Sequence, residues 1–128
     1  MKENEIGTII VDCAVELHRN LGPGLLETVY EVTLARALER RGLIVHRQVG
    51  VPIEYQGETF SEGFRADLIV GGLVIVELKS IERVTPADKK QLLTYLRLTG
   101  LKLGYLLNFG EALMRDGITQ TINGSIHP

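Results

Sequence analysis

Tryptophan is absent, cysteine occurs once, and aromatic residues make up only 5% of the chain. A lone Cys13 excludes an intrachain disulfide framework and any cysteine-based zinc cluster, and it points to a reducing compartment. Long apolar runs are also missing. No stretch approaches the roughly 18 apolar residues of a membrane span, and Met1-Lys2-Glu3-Asn4-Glu5 lacks the apolar region of a signal peptide. A cytoplasmic protein with no membrane partner is therefore expected. Nor is there an excess of positive charge: the net charge is −2, so contact with nucleic acid would rest on a local basic patch. What is present is ordinary for a globular protein. The 128 residues are 45% hydrophobic and 23% charged, without repeats or low-complexity segments, and a single domain over 1–128 is expected.

Apolar residues Ile6, Ile9, Ile10, Cys13, Leu17 and Leu21 recur at helical spacing, which predicts an amphipathic helix over Ile6–Leu21 with Cys13 as a small buried hydrophobe. Gly22-Pro23-Gly24 breaks it as a tight interhelical turn. Leu26, Val29, Tyr30, Leu34, Ala37 and Leu38 mark a second helix ending near Gly42. Branched residues from Ile44 to Tyr55 predict a strand, Gln56-Gly57 a turn, and the segment from Phe64 to Lys79 a hairpin about Gly71-Gly72. Thr85-Pro86, with Asp88 three residues after the cap, starts a third helix running to about Thr99 and punctuated by Gly100 and Gly104. Tyr105–Phe109 reads as a buried strand, reached by a right-handed crossover, and Ile118 to Ile122 as an edge strand. The order helix-helix-strand-strand-strand-helix-strand predicts an α/β fold with a mixed central sheet flanked by helices.

Within Leu73–Lys79, alternation places Glu77 and Lys79 on the face occupied by Leu73 and Ile75, so charge continues an apolar face. Asp67 lies next to Ala66 and Leu68-Ile69-Val70, where an unpaired carboxylate is costly to bury. Salt bridges at a sheet end would explain any one of these charges. The combination of Asp67, Glu77 and Lys79 on a Gly-Gly hairpin followed by a helix is more specific. Two carboxylates and a backbone carbonyl suit Mg²⁺ or Mn²⁺, and a nearby lysine can position water or stabilise charge during phosphodiester hydrolysis. Register tests this idea. A plain two-residue loop at Gly71-Gly72 would point Asp67 and Glu77 to opposite faces, whereas pairing of Val70 with Val74 would set them opposite each other on one face.

Phe64-Arg65-Ala66-Asp67 followed by Glu77-Leu78-Lys79 resembles the PD-(D/E)XK nuclease superfamily, with Ala66 in place of the proline of that signature. Gly24-Leu25-Leu26-Glu27-Thr28-Val29-Tyr30 is similar to the motif that names the GxxExxY proteins, a branch of the same superfamily, and the likeness runs from about Ile9 to Phe109. The resemblance implies a restriction-endonuclease-like core. It also implies metal binding by Asp67, Glu77 and the Leu78 carbonyl, with Lys79 in catalysis. Gln91 and Tyr95 look like the Gln-xxx-Tyr element of some nuclease branches.

Helical spacing puts Glu27 and Tyr30 on one face, where Glu27 is either a site acid or a carboxylate favoured by the helix start. Gln91 and Tyr95 share a face of the third helix and could reach a phosphate, with Tyr95 alternatively part of the core. His18 is expected as a cation at a helix C-terminus, with a role at the site as the alternative; His46 and His127 receive no role. Arg36, Arg40, Arg41, Lys89, Lys90, Arg97 and Lys102 read as a solvated surface with scope for phosphate contacts. The leading function is a Mg²⁺-dependent nuclease acting on DNA or RNA, as a homodimer or with a separate targeting protein. Its alternatives are a non-catalytic module of the same fold that binds nucleic acid or protein, and a metal-free salt-bridged scaffold.

Overall fold

The computed structural model describes residues 1–126, so His127 lies outside the described residues. Helices α1 (Glu3–Leu21) and α2 (Glu27–Arg40) are followed by strands β1 (Val45–Tyr55), β2 (Glu58–Val70) and β3 (Val74–Lys79), helix α3 (Pro86–Thr99), and strands β4 (Leu103–Asn108) and β5 (Ile118–Ile122). The sheet has the order β1-β2-β3-β4-β5. Only β3 and β4 are parallel, joined through α3; the other neighbours are antiparallel. This is the mixed sheet with flanking helices expected from the element pattern, with β5 at its edge.

Apolar side chains divide between the two faces of the sheet. Ile6, Ile10, Tyr30, Leu34 and Leu38 of the first two helices pack with Leu68, Val70, Val74, Val76 and Leu78. Leu92 and Leu96 of α3 pack with Ile75, Leu106 and Ala66 on the other side. One detail of the helical stripes differs from expectation: Leu26 caps α2 from outside and is 78% exposed. His18, in the last turn of α1, is buried with its Nε2 at 2.8 Å from the Glu111 carbonyl oxygen. Leu73 also departs from simple alternation: it belongs to the turn and packs on the α1–α2 side, not with Ile75.

The α3 start is a reciprocal cap, with the Asp88 amide donating to Thr85 Oγ1 and the Thr85 amide to Asp88 Oδ2. Gly100 ends the helix in the left-handed conformation, φ 74°. Gly104, expected to punctuate the helix end, instead sits inside β4. A Cβ there would lie 2.9 Å from Leu92 Cδ1, so the glycine lets α3 approach the sheet.

Candidate functional site

The register of the β2–β3 hairpin decides whether the acids can meet. Leu68 pairs with Val76, Ile69 with Ile75 and Val70 with Val74, which leaves a three-residue loop, Gly71-Gly72-Leu73. Gly71 and Gly72 have φ of 60° and 69°, a conformation glycine adopts without the Cβ clash of other residues. Continuing this register by one step sets Asp67 opposite Glu77, as a shared site requires.

Beyond that pair the strands part. Leu68 and Val70 pack on the α1–α2 side, yet Phe64 and Ala66, which alternation would send the same way, pack on the α3 side with Val49. The change of face falls at Asp67 and at Gln48, which the flanking pairs Arg47–Leu68 and Val49–Ala66 set opposite it. Gln48 has φ 51°, the local twist that lets the β1–β2 ribbon turn over. Asp67 therefore occupies the point where β2 peels away from β3.

At this opening carboxylates take the place of backbone acceptors. The Asp67 amide donates to Glu77 Oε2 at 2.7 Å, and the Leu78 amide donates to Asp67 Oδ2 at 2.9 Å. Gln48 Nε2 donates to Glu31 Oε1 at 2.6 Å and to Asp67 Oδ1 at 3.4 Å. Arg47 forms a fork on Glu31 Oε2, at 3.1 and 2.8 Å. Glu31 was not anticipated, although it lies four residues after Glu27 on the same helical face. Gln48 carries no comparable sequence signal.

Burial opposes ionisation of both acids. Burial raises the Glu77 carboxyl to about 8, with the nearby Asp67 charge adding to the effect. Burial likewise raises Asp67; the Leu78 N–H, Gln48 and Lys79 act in the opposite direction. Partial burial raises Glu27, which also senses Lys79, Asp67 and Glu31. The phenol of Tyr95 is raised by burial and then by Glu77 and Asp67, while its ring stacks on Phe64 with centroids 3.9 Å apart.

The structure thus gathers Asp67, Glu77, Lys79, Glu27 and Tyr95 into one electrostatic neighbourhood. Gln91 stands exposed one turn before Tyr95. Tyr30 turns away from the cluster: it stacks on Phe109 and donates to the Gly22 carbonyl at 2.6 Å, bracing the α1–α2 loop. That loop reaches the strand end through Ser80 Oγ, which donates to the Leu25 carbonyl at 2.7 Å. Asn108, buried and unanticipated, fixes the chain just after Lys79. Its Oδ1 accepts from Ile81 N and Gly110 N, and its Nδ2 donates to the Ile81 carbonyl.

Among the described residues, no group of three or more His, Cys, Asp and Glu side chains forms a ready-made metal cage. The donor chemistry of the strand end nevertheless fits a hard divalent ion. Asp67 and Glu77 set carboxyl oxygens side by side, and a cation would stabilise their ionised forms against the burial that now raises both carboxyls above their ordinary range. Magnesium sites commonly use one or two carboxylates and retain water for the rest of the coordination shell.

No helix among the described residues is long and apolar enough to cross a membrane. Comparison with curated proteins and with solved structures returns no match. A family model described as the PD-(D/E)XK nuclease superfamily, whose members act on nucleic acids and generally use divalent metal ions, matches residues 4–121. With that match spanning both acids, the lysine strand and all three helices, the chain belongs to the PD-(D/E)XK nuclease superfamily.

Proposed function

We propose that this chain is a single-domain, metal-dependent nuclease of the GxxExxY branch that hydrolyses phosphodiester bonds in DNA or RNA. The observation that carries the reading is the meeting of Asp67 and Glu77 at the opening of the β2–β3 hairpin, two residues from Lys79 on the same strand face. Asp67, Glu77 and the Leu78 carbonyl would hold Mg²⁺ or Mn²⁺, which would supply Lewis acidity toward a phosphoryl oxygen and favour deprotonation of the attacking water. Lys79 orients that water and offsets charge developing on the phosphoryl group. Glu27, exposed at the start of α2 and coupled to Lys79, serves as a further acid at the rim. Tyr95 closes the α3 side of the site, with Gln91 one turn away to contact the phosphate backbone. Work in the cytoplasm, as a homodimer or with a separate targeting protein, belongs to the same proposal.

A second reading is favoured by one observation. Both acids already accept backbone N–H groups, so they also perform a structural task, as they would in a non-catalytic nucleic-acid- or protein-binding module of the same fold. Cleavage of labelled single- and double-stranded DNA and RNA separates the two. The nuclease should act with Mg²⁺ or Mn²⁺ and not with EDTA, and Lys79→Ala should lower the rate by about 10²-fold or more without changing the melting temperature. Binding of nucleic acid by the folded wild type with no metal-dependent cleavage would favour the binding module.

A further inference from the structure

One cleft of the molecule is not used by the proposed reaction. It has a volume of about 490 Å³ and lies between the C-terminal half of α1 and the segment 112–115. Val15, Pro23, Leu113 and Met114 give it apolar walls, and Arg19 and Arg115 supply its positive charge. The described lining contains no carboxylate, although the chain as a whole has net charge −2. Both arginines are exposed, with their guanidinium groups available to a ligand. Arginine forks suit phosphate, and apolar walls suit the face of a base. The volume falls within the roughly 300–1,000 Å³ common for small-molecule sites.

Both walls are tied to the chain at Lys79. Gly22 and Pro23 belong to the loop whose Leu25 carbonyl accepts from Ser80 Oγ. On the other side, Phe109 N donates to the Lys79 carbonyl at 2.8 Å, and the Glu111 carbonyl meets His18. The cleft walls and the end of β3 thus share two hydrogen-bonded anchors.

We propose that the cleft is a subsite for one unpaired nucleotide of a polynucleotide whose scissile phosphate lies at Asp67, Glu77 and Lys79. The base lies against Pro23, Leu113 and Met114, and Arg19 and Arg115 hold the adjoining phosphates. The substrate class rests on the nuclease reading. Because a base stacked in a duplex must be extruded to enter, at a cost of a few kcal/mol, single strands and frayed ends are preferred over intact duplex.

The test uses full-length Lys79→Ala protein with EDTA, titrated with the pentanucleotide d(T)5 and followed by amide NMR shifts. Saturating shifts at Gly22, Leu113 and Arg115, with affinity falling at least about five-fold in Arg19→Ala/Arg115→Ala, support the subsite. Leu113→Asp should weaken binding similarly while leaving the amide spectrum of the fold intact. Shifts confined to Asp67–Lys79, or an unchanged affinity in both variants, would overturn it. Cleavage by the Lys79-containing protein is scored separately: no cleavage with cleft binding retained sinks the nuclease reading and leaves the subsite standing. Cleavage of single strands whose KM is indifferent to both arginines does the reverse.

Discussion

The two ends of the β2–β3 hairpin use the same pair of strands and are held by different chemistry. Near Gly71-Gly72 the strands pair through their backbones, and Val70, Val74 and Val76 are completely buried among apolar neighbours. At Asp67 and Glu77 the ladder gives way to side-chain carboxylates that accept the Asp67 and Leu78 amides. One end gains stability from removal of apolar surface. The other replaces a carbonyl acceptor with a group whose charge can change, and it opens the strands enough for α2 and the β1–β2 ribbon to contribute Glu27, Glu31 and Gln48. A functional site on a small sheet can thus be made by ending a strand pair early while keeping its amides satisfied.

Substitutions should separate the ends. Leu68→Ala, at a completely buried position on the apolar side, is expected to cost about 2–5 kcal/mol of stability, read by denaturant unfolding. A loss below that range would mean the hairpin's closed end contributes less than its burial suggests. Asp67→Ala leaves the Leu78 amide without its acceptor and should cost about 1–3 kcal/mol, whereas Asp67→Asn keeps an oxygen acceptor and should stay near wild-type stability. Both should lack metal-dependent cleavage, so only the stability comparison isolates the structural task of the carboxylate.

The charge on Glu77 gives the open end a pH dependence in metal-free protein. Its carboxyl moves from 4.5 in the unfolded chain to about 8 on folding, so the stabilising contribution is complete below the lower value and is lost as pH rises through the upper one. Urea midpoints measured in EDTA should fall across that interval, and Glu77→Gln should flatten the decline. A midpoint indifferent to pH in wild type would show that the acid is already compensated. The smallest effect concerns the β1–β2 turn, remote from both ends. Gln56 has φ 48° and precedes Gly57 at φ 83°, the geometry that favours Asn-Gly, so Gln56→Asn should raise stability by roughly 0.5 kcal/mol and leave cleavage unchanged.

Much of this was legible in the residues. Gly71-Gly72 signalled a loop able to set the register, and helical spacing with Thr85-Pro86 placed α3 correctly behind the lysine strand. Asp67, Glu77 and Lys79 stood out because charge interrupts apolar strands. Glu31 could have been found from its spacing to Glu27. Gln48 could not, because its part depends on a left-handed backbone and on a change of face that two-residue alternation does not encode. Asn108 was hidden for a similar reason: it ends an apolar run, and its partners lie 27 residues earlier in the chain at Ile81. Gly104 looked like punctuation because nothing local reveals that Leu92 needs the space.

The exchange of carbonyl for carboxylate also bears on how the molecule breathes. Amides bonded along the Val70–Val74 end should exchange with solvent only when the core opens. Those of Asp67 and Leu78 depend on two side chains that can rotate or take up a proton, so they can be released while the rest of the sheet stays closed. The strand end is in that sense its own small opening unit, able to loosen without the domain having to unfold.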